Sequence, residues 1–315
     1  MINGNFYNFS LLDLQMPANE ILAVINELAN TKTDLLWTIA VSAIVSTGIS
    51  YWFKRSEIRH KAEVDYEYEQ RKRLREVIGR YHGRLLSAAN SMNYRLWNLY
   101  ANHDKGWLDI HGDYEGAGYY FLSSAYRFLN VCTLIRQLET EAVLLDARIA
   151  EKKDFAFLNY AAALHWVMTD VALFRGLPYD NFHQRDHFFS DHFRHYSDLC
   201  IRDGNFLDFE DFKDNFCGSD KLNAVLLYFD ELKPNENRFR WDRLVAFHLL
   251  LMAFINAFGY KRQHSGKQHF FDAAKQIRNP VVLENLVAWI PKHDLADNRE
   301  AKKIIQALGA VRKPV

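Results

Sequence analysis

Along this chain, stretches whose apolar residues recur at helical spacing alternate with short polar breaks, and the longest uncharged apolar block comes early. From Leu35 to Phe53 it reads LLWTIAVSAIVSTGISYWF. At about 1.5 Å per residue, a helix of that length covers roughly 28 Å, close to the thickness of bilayer hydrocarbon. Trp37 lies near one end and Tyr51 and Trp52 at the other, where amphipathic rings favour the headgroup boundary. The pattern predicts a single transmembrane helix over residues 34–53.

The flanks set its orientation. Met1 to Asp34 carries Lys32 against Asp13, Glu20, Glu27 and Asp34, whereas Lys54, Arg55, Arg59 and Lys61 follow the block, with Arg71, Lys72, Arg73 and Arg75 beyond. Basic residues resist translocation, so the N-terminus is expected outside the cell membrane and the rest in the cytoplasm. The basic flank is then placed to meet anionic lipid headgroups. Thr38, Ser42, Ser46 and Ser50 repeat every four residues, giving one smooth helix face on which a second copy could approach closely. Ahead of the block, Ile21, Leu22, Ile25 and Leu28 share a face after Pro17, the signature of a short amphipathic helix within an extracytoplasmic segment, 1–33.

Residues 54–103 read as a basic juxtamembrane stretch and a long amphipathic helix. Leu74, Ile78, Tyr81, Leu85, Ala88, Met92, Leu96 and Leu99 keep helical spacing with no proline, and the helix is expected to pack with the domain formed by 104–315. Glycines and charges from His103 to Gly118 predict a loop. Three strongly apolar segments follow: Tyr119–Leu138, Phe155–Phe174 and Leu244–Tyr260. The last rivals the first block as a span. Arg238, Arg240 and Arg243 before it, Lys261 and Arg262 after it, and His248 and Asn256 within it all favour a central core helix instead.

Shorter helices are expected over Arg185–Cys200, Leu207–Phe216, Asp220–Leu232, Phe270–Arg278 and Arg299–Leu308. Turn or stop signals separate them at Asp203-Gly204, Lys233-Pro234 and Asn279-Pro280. Only six prolines and fourteen glycines punctuate the chain, too few for an all-β fold of this length. The expected class is all-α: one N-terminal span, a long amphipathic helix and a cytoplasmic helical bundle. A formal net charge of zero argues against nucleic acid as a partner. Three widely spaced cysteines, Cys132, Cys200 and Cys217, form no metal or redox motif and read as reduced thiols.

Two patterns could carry chemistry. His183, His187, Asp191 and His195 recur every four residues, a spacing at which neighbours on one helix face can share a metal ion and support a metal-dependent enzyme. Phe182, Phe189, Phe193 and Tyr196 lie opposite, which makes the aromatic side the core face and leaves the histidine stripe turned outward.

The second pattern is Arg243-Leu-Val-Ala-Phe-His248, an arginine followed five residues later by a histidine, which resembles the HEPN ribonucleases. The resemblance implies metal-free RNA cleavage, with Arg243 binding the phosphate and His248 as general acid and base. Leu244 stands where that family usually has a polar residue, a detail that Arg185-Asp186 with His192 fits better. The alternative for Arg243 and His248, with His165 and Asp170, is a hydrogen-bonded polar cluster inside the bundle. With no nucleotide-binding, hydrolase, zinc or calcium motif present, no cofactor is expected. The favoured reading is a non-enzymatic, membrane-tethered module that binds a protein or itself.

Overall fold

The computed structural model describes residues 19–20, 34–143, 150–179 and 185–312, with backbone alone for 34–41. The expected amphipathic helix before the apolar block lies outside the described residues apart from 19–20, as do His183 and the side chain of Thr38. The chain divides into two compact units, Met1–Tyr68 and Glu69–Val315.

Among the described residues there are ten α-helices and one small hairpin: α1 (Asp34–Asn102), α2 (Tyr119–Ala142), α3 (Lys152–Thr169), α4 (Ser190–Leu199), β1 (Ile201–Arg202), β2 (Asn205–Phe206), α5 (Phe209–Phe216), α6 (Asn223–Phe229), α7 (Arg240–Phe258), α8 (Lys267–Ala274), α9 (Pro280–Lys292) and α10 (Arg299–Arg312). The all-α expectation holds. Helix α1 supplies residues to both units. In the first, every described side chain from Ser42 to Tyr66 is exposed, including Ile44, Val45, Ile49, Tyr51, Trp52 and Phe53.

The expected N-terminal span is not supported as a crossing helix. Among the described residues, one helix is long and apolar enough to cross a membrane, and it is α7, Arg240–Phe258. That helix is 89% buried over its apolar window, as a central core helix must be when it is apolar on nearly all faces.

In the second unit, α7 is the centre. Every residue from Arg240 to Asn256 is buried, and α3, α8 and α10 pack on it. From α1, Leu74, Ile78, Tyr81, Leu85, Met92, Leu96 and Leu99 join the same core, at the three- and four-residue spacing read from the sequence. Helix α2 packs against α3, α4 and α6 and buries Phe121, Phe128 and Leu134.

Several expected boundaries move, each for a local reason. The helix expected from Arg185 begins only at Ser190, because the Asp186 carboxylate is taken up by Arg238 Nε at 2.7 Å and the Phe239 amide at 3.0 Å. Asp203-Gly204 is a turn, as expected, but it joins two antiparallel two-residue strands with Ile201 opposite Phe206. Asn279-Pro280 starts a helix: the Asn279 side chain accepts from the Val281 amide at 2.9 Å, and Pro280 occupies the first turn, where a missing N–H leaves no bond unmade.

The loop between α1 and α2 is fixed from far along the chain. The Asp230 carboxylate accepts from the amides of Ile110 and His111 at 3.0 Å each and of Gly112 at 2.8 Å. His111 and Gly112 both adopt positive φ, 53° and 81°, which turns consecutive N–H groups toward one anion. The Glu231 amide donates to Leu108 O at 2.9 Å, and Lys233 Nζ pairs with Asp109 Oδ2 at 2.7 Å.

Candidate functional site

Arg243 and His248 share α7 but point apart. A separation of five residues rotates two side chains by about 140° around a helix, and their partners are disjoint. Arg243, fully buried, donates through Nη1 to Val167 O at 2.6 Å and Asp170 O at 3.0 Å. It thereby caps the carbonyl end of α3, where a cation also meets the negative pole of the helix. Its guanidinium carbon lies 4.4 Å from the Phe174 ring centroid, while Nε and Nη2 have no hydrogen-bond partner. Burial lowers its pKa, against the opposing pull of Tyr228, Tyr179, Asp170 and Asp186.

His248, also fully buried, places Nε2 2.7 Å from Asn93 Oδ1 and Nδ1 2.9 Å from the Tyr100 hydroxyl. The Asn93 oxygen can only accept, so Nε2 carries the proton and Nδ1 accepts from Tyr100. This is a neutral imidazole with both nitrogens engaged. Burial pushes its pKa down to about 3. The structure therefore does not bring the arginine and histidine together at one phosphate; each ties α7 to a different neighbour, α3 or α1. Of the other two members of the expected cluster, Asp170 meets Arg243 through its backbone oxygen while its carboxylate accepts from Ala172 N and Trp289 Nε1 at 2.8 Å each, and His165 stands apart with Nε2 3.4 Å from Ser190 Oγ.

The histidine stripe is not one surface. His187 is 2% exposed, precedes α4, and hydrogen-bonds through Nδ1 with the Tyr179 hydroxyl. That burial corrects the expectation that the whole stripe faces outward. Asp191, His192 and His195 are exposed on α4, and Asp191 pairs with Arg194 at 3.3 Å. Among the described residues, no three His, Cys, Asp or Glu side chains gather in a way that could hold a metal ion. In the other alternative pair, Arg185 is exposed and its carbonyl oxygen accepts from Arg238.

A different feature has the form of a site. Between α1 and α2, a surface cleft of about 420 Å³ is lined by Ser91, Tyr94, Arg95 and Asn98 of α1, by Trp107 of the connecting loop, and by Tyr120 and Arg127 of α2. Spacing does the local work: 91, 94, 95 and 98 fall on one helix face, and 120 and 127 lie two turns apart.

Arg95 is 7% exposed and donates through Nη2 to Ser123 Oγ at 2.8 Å. Its guanidinium lies over the Tyr120 ring at 4.2 Å, a cation–π geometry that fixes the charge in place. Burial, then the neighbouring Arg127, lowers the Arg95 pKa. The Tyr120 hydroxyl is buried beside the Arg95 guanidinium, and burial raises its pKa against the opposing pull of Arg95. At the mouth, Tyr94 is 72% and Trp107 47% exposed, with the Trp107 and Tyr120 rings 4.8 Å apart. No carboxylate is among these lining residues.

Sequence reasoning passed over this cleft because its parts come from three segments. The usable signal was local: two aromatic residues, Tyr94 and Trp107, at polar positions, and two arginines, Arg95 and Arg127, each next to apolar core positions of its helix. No family model, curated protein or solved structure matches this chain.

Proposed function

We propose that this chain is a single-pass, membrane-anchored helical binding module, with residues 34–53 in the bilayer, the N-terminus outside and the second unit in the cytoplasm. The observation that carries this reading is the exposure of Ile44, Val45, Ile49, Tyr51, Trp52 and Phe53 within ten residues of α1. A run of apolar and aromatic side chains of that size facing water is the surface of a membrane or partner contact rather than of a free monomer. Lys54, Arg55, Arg59 and Lys61 follow directly, as an inner-leaflet flank requires. Burial of α7, the one helix among the described residues long and apolar enough to cross, supports its place in the core of the second unit rather than in the bilayer.

A binding rather than catalytic role is supported by the fate of Arg243 and His248, whose polar atoms serve helix-to-helix contacts. Self-association through the Thr38, Ser42, Ser46 and Ser50 face fits the same scheme. The Ser46 hydroxyl bonds back to Ala43 O at 3.1 Å, so its polar group is satisfied within the helix and need not be met by a partner across that face. The test is extraction: full-length protein in native membranes should resist alkaline carbonate and come out only in detergent, and light scattering of the extract should show more than one copy per particle. Release by carbonate sinks the anchor; a strict monomer sinks the self-association.

A further inference from the structure

The cleft between α1 and α2 has the chemistry of an anion site with a stacking platform, independently of how the chain meets a membrane. Two guanidinium side chains of like charge line one small space without a carboxylate to neutralise them. Arg95 is buried and held in a fixed direction by Ser123 Oγ and the Tyr120 ring. Arg127, only partly buried, makes no hydrogen bond or ion pair, so its donors are open to a ligand. Guanidinium groups favour phosphate because their planar donors match its oxygens two at a time. The Tyr120 hydroxyl, buried beside the Arg95 guanidinium, keeps its proton to donate at the inner wall.

What sets this cleft apart from a simple phosphate pocket is its rim. Tyr94 and Trp107 present large ring surface to water, which is unfavourable unless something planar covers it. Stacking of a base on an aromatic ring and pairing of its phosphate with arginine is the division of labour by which proteins hold single nucleotides. The volume, about 420 Å³, lies within the range of small-molecule sites. We infer that the cleft formed by Arg95, Arg127, Tyr120, Tyr94 and Trp107 binds a nucleoside monophosphate, with the phosphate on the two arginines and the base against Tyr94 and Trp107.

The experiment is calorimetric titration of full-length protein in detergent with AMP, UMP, inorganic phosphate and adenosine. One-to-one binding of AMP or UMP is expected, with phosphate and adenosine each weaker by about tenfold or more. Arg127→Ala and Tyr94→Ala should each weaken nucleotide binding by about tenfold and leave the thermal melt in place, since one side chain has no partner and the other is exposed. Absence of heat with both nucleotides, equal binding of phosphate alone, binding unchanged in both variants, or binding of a short RNA but of neither mononucleotide overturns the assignment.

Discussion

His248 donates from Nε2 to the Asn93 side-chain oxygen at 2.7 Å, and the Tyr100 hydroxyl completes the imidazole from the other side at 2.9 Å. The histidine is neutral in the folded chain with its pKa near 3, against about 6.5 when unfolded. Between those values the unfolded chain holds a proton that the folded one does not. The stability His248 contributes is therefore full above about pH 6.5 and declines toward pH 3, by about 1.4 kcal/mol per pH unit at the steepest.

Replacing His248 with Leu isolates that effect from other titrating groups. Asp242, for example, is raised to about 6 by burial and acts in the opposite direction, its contribution lost as pH rises. At pH 7.5 the variant should be less stable by roughly 2–4 kcal/mol, because Asn93 and Tyr100 lose their partner. Urea unfolding at a series of pH values should show the gap closing from pH 6.5 downward. A constant gap would mean that the imidazole is already charged in the fold.

Arg243 offers a contrast between charge and volume. Arg243→Ala should destabilise by roughly 3–5 kcal/mol, since it opens a cavity and strips Val167 O and Asp170 O of their donor. Arg243→Met, which fills most of the space and removes a buried cation with two unbonded nitrogens, should lose visibly less. Equal losses in urea unfolding would show that the capping bonds, rather than packing, carry the whole effect.

Asp230 should govern the order of the α1–α2 loop. Asp230→Ala leaves three amides without an acceptor and should lower stability by about 2–4 kcal/mol. Hydrogen exchange across residues 106–118 should accelerate well beyond that of the α7 core. Because Trp107 sits on the same loop, its fluorescence should move to longer wavelength. Unchanged exchange in that segment would show that the Glu231–Leu108 bond suffices alone.

The proposed anchor is testable at Val45 and Ile49. Val45→Arg with Ile49→Arg places two charges in the block, each unfavourable by about 2.5–3.5 kcal/mol near the middle of a span. The double variant should shift from the membrane to the soluble fraction with the helical content of the second unit intact. Continued carbonate resistance would locate membrane attachment elsewhere.

Much of the architecture was legible from spacing. The core face of α1 from Leu74 to Leu99, the glycine-marked loop and the central place of α7 all follow from where apolar residues recur and where they surround a helix. Boundaries failed where a distant residue took a local group: Asp186 bonds to Arg238 and Phe239, so the helix expected from Arg185 starts at Ser190 and His187 turns inward. Arg243 and His248 show the limit of motif spacing, since chain distance fixes an angle on the helix but not which neighbour stands at that angle. The cleft was illegible for a related reason: nothing in the order of residues says that 94, 107 and 127 meet.

The Asp230 bonds impose a sequence of events as well as a shape. Ile110, His111 and Gly112 wait for an acceptor 118 to 120 residues further on, so a nascent chain halted before Asp230 carries Trp107 on a loop with nothing to hold it. Local helices such as α1 can form early, while contacts this distant close late. The cleft rim is thus a product of late synthesis, and a polypeptide truncated upstream of that aspartate should reach its destination with the recognition surface unbuilt.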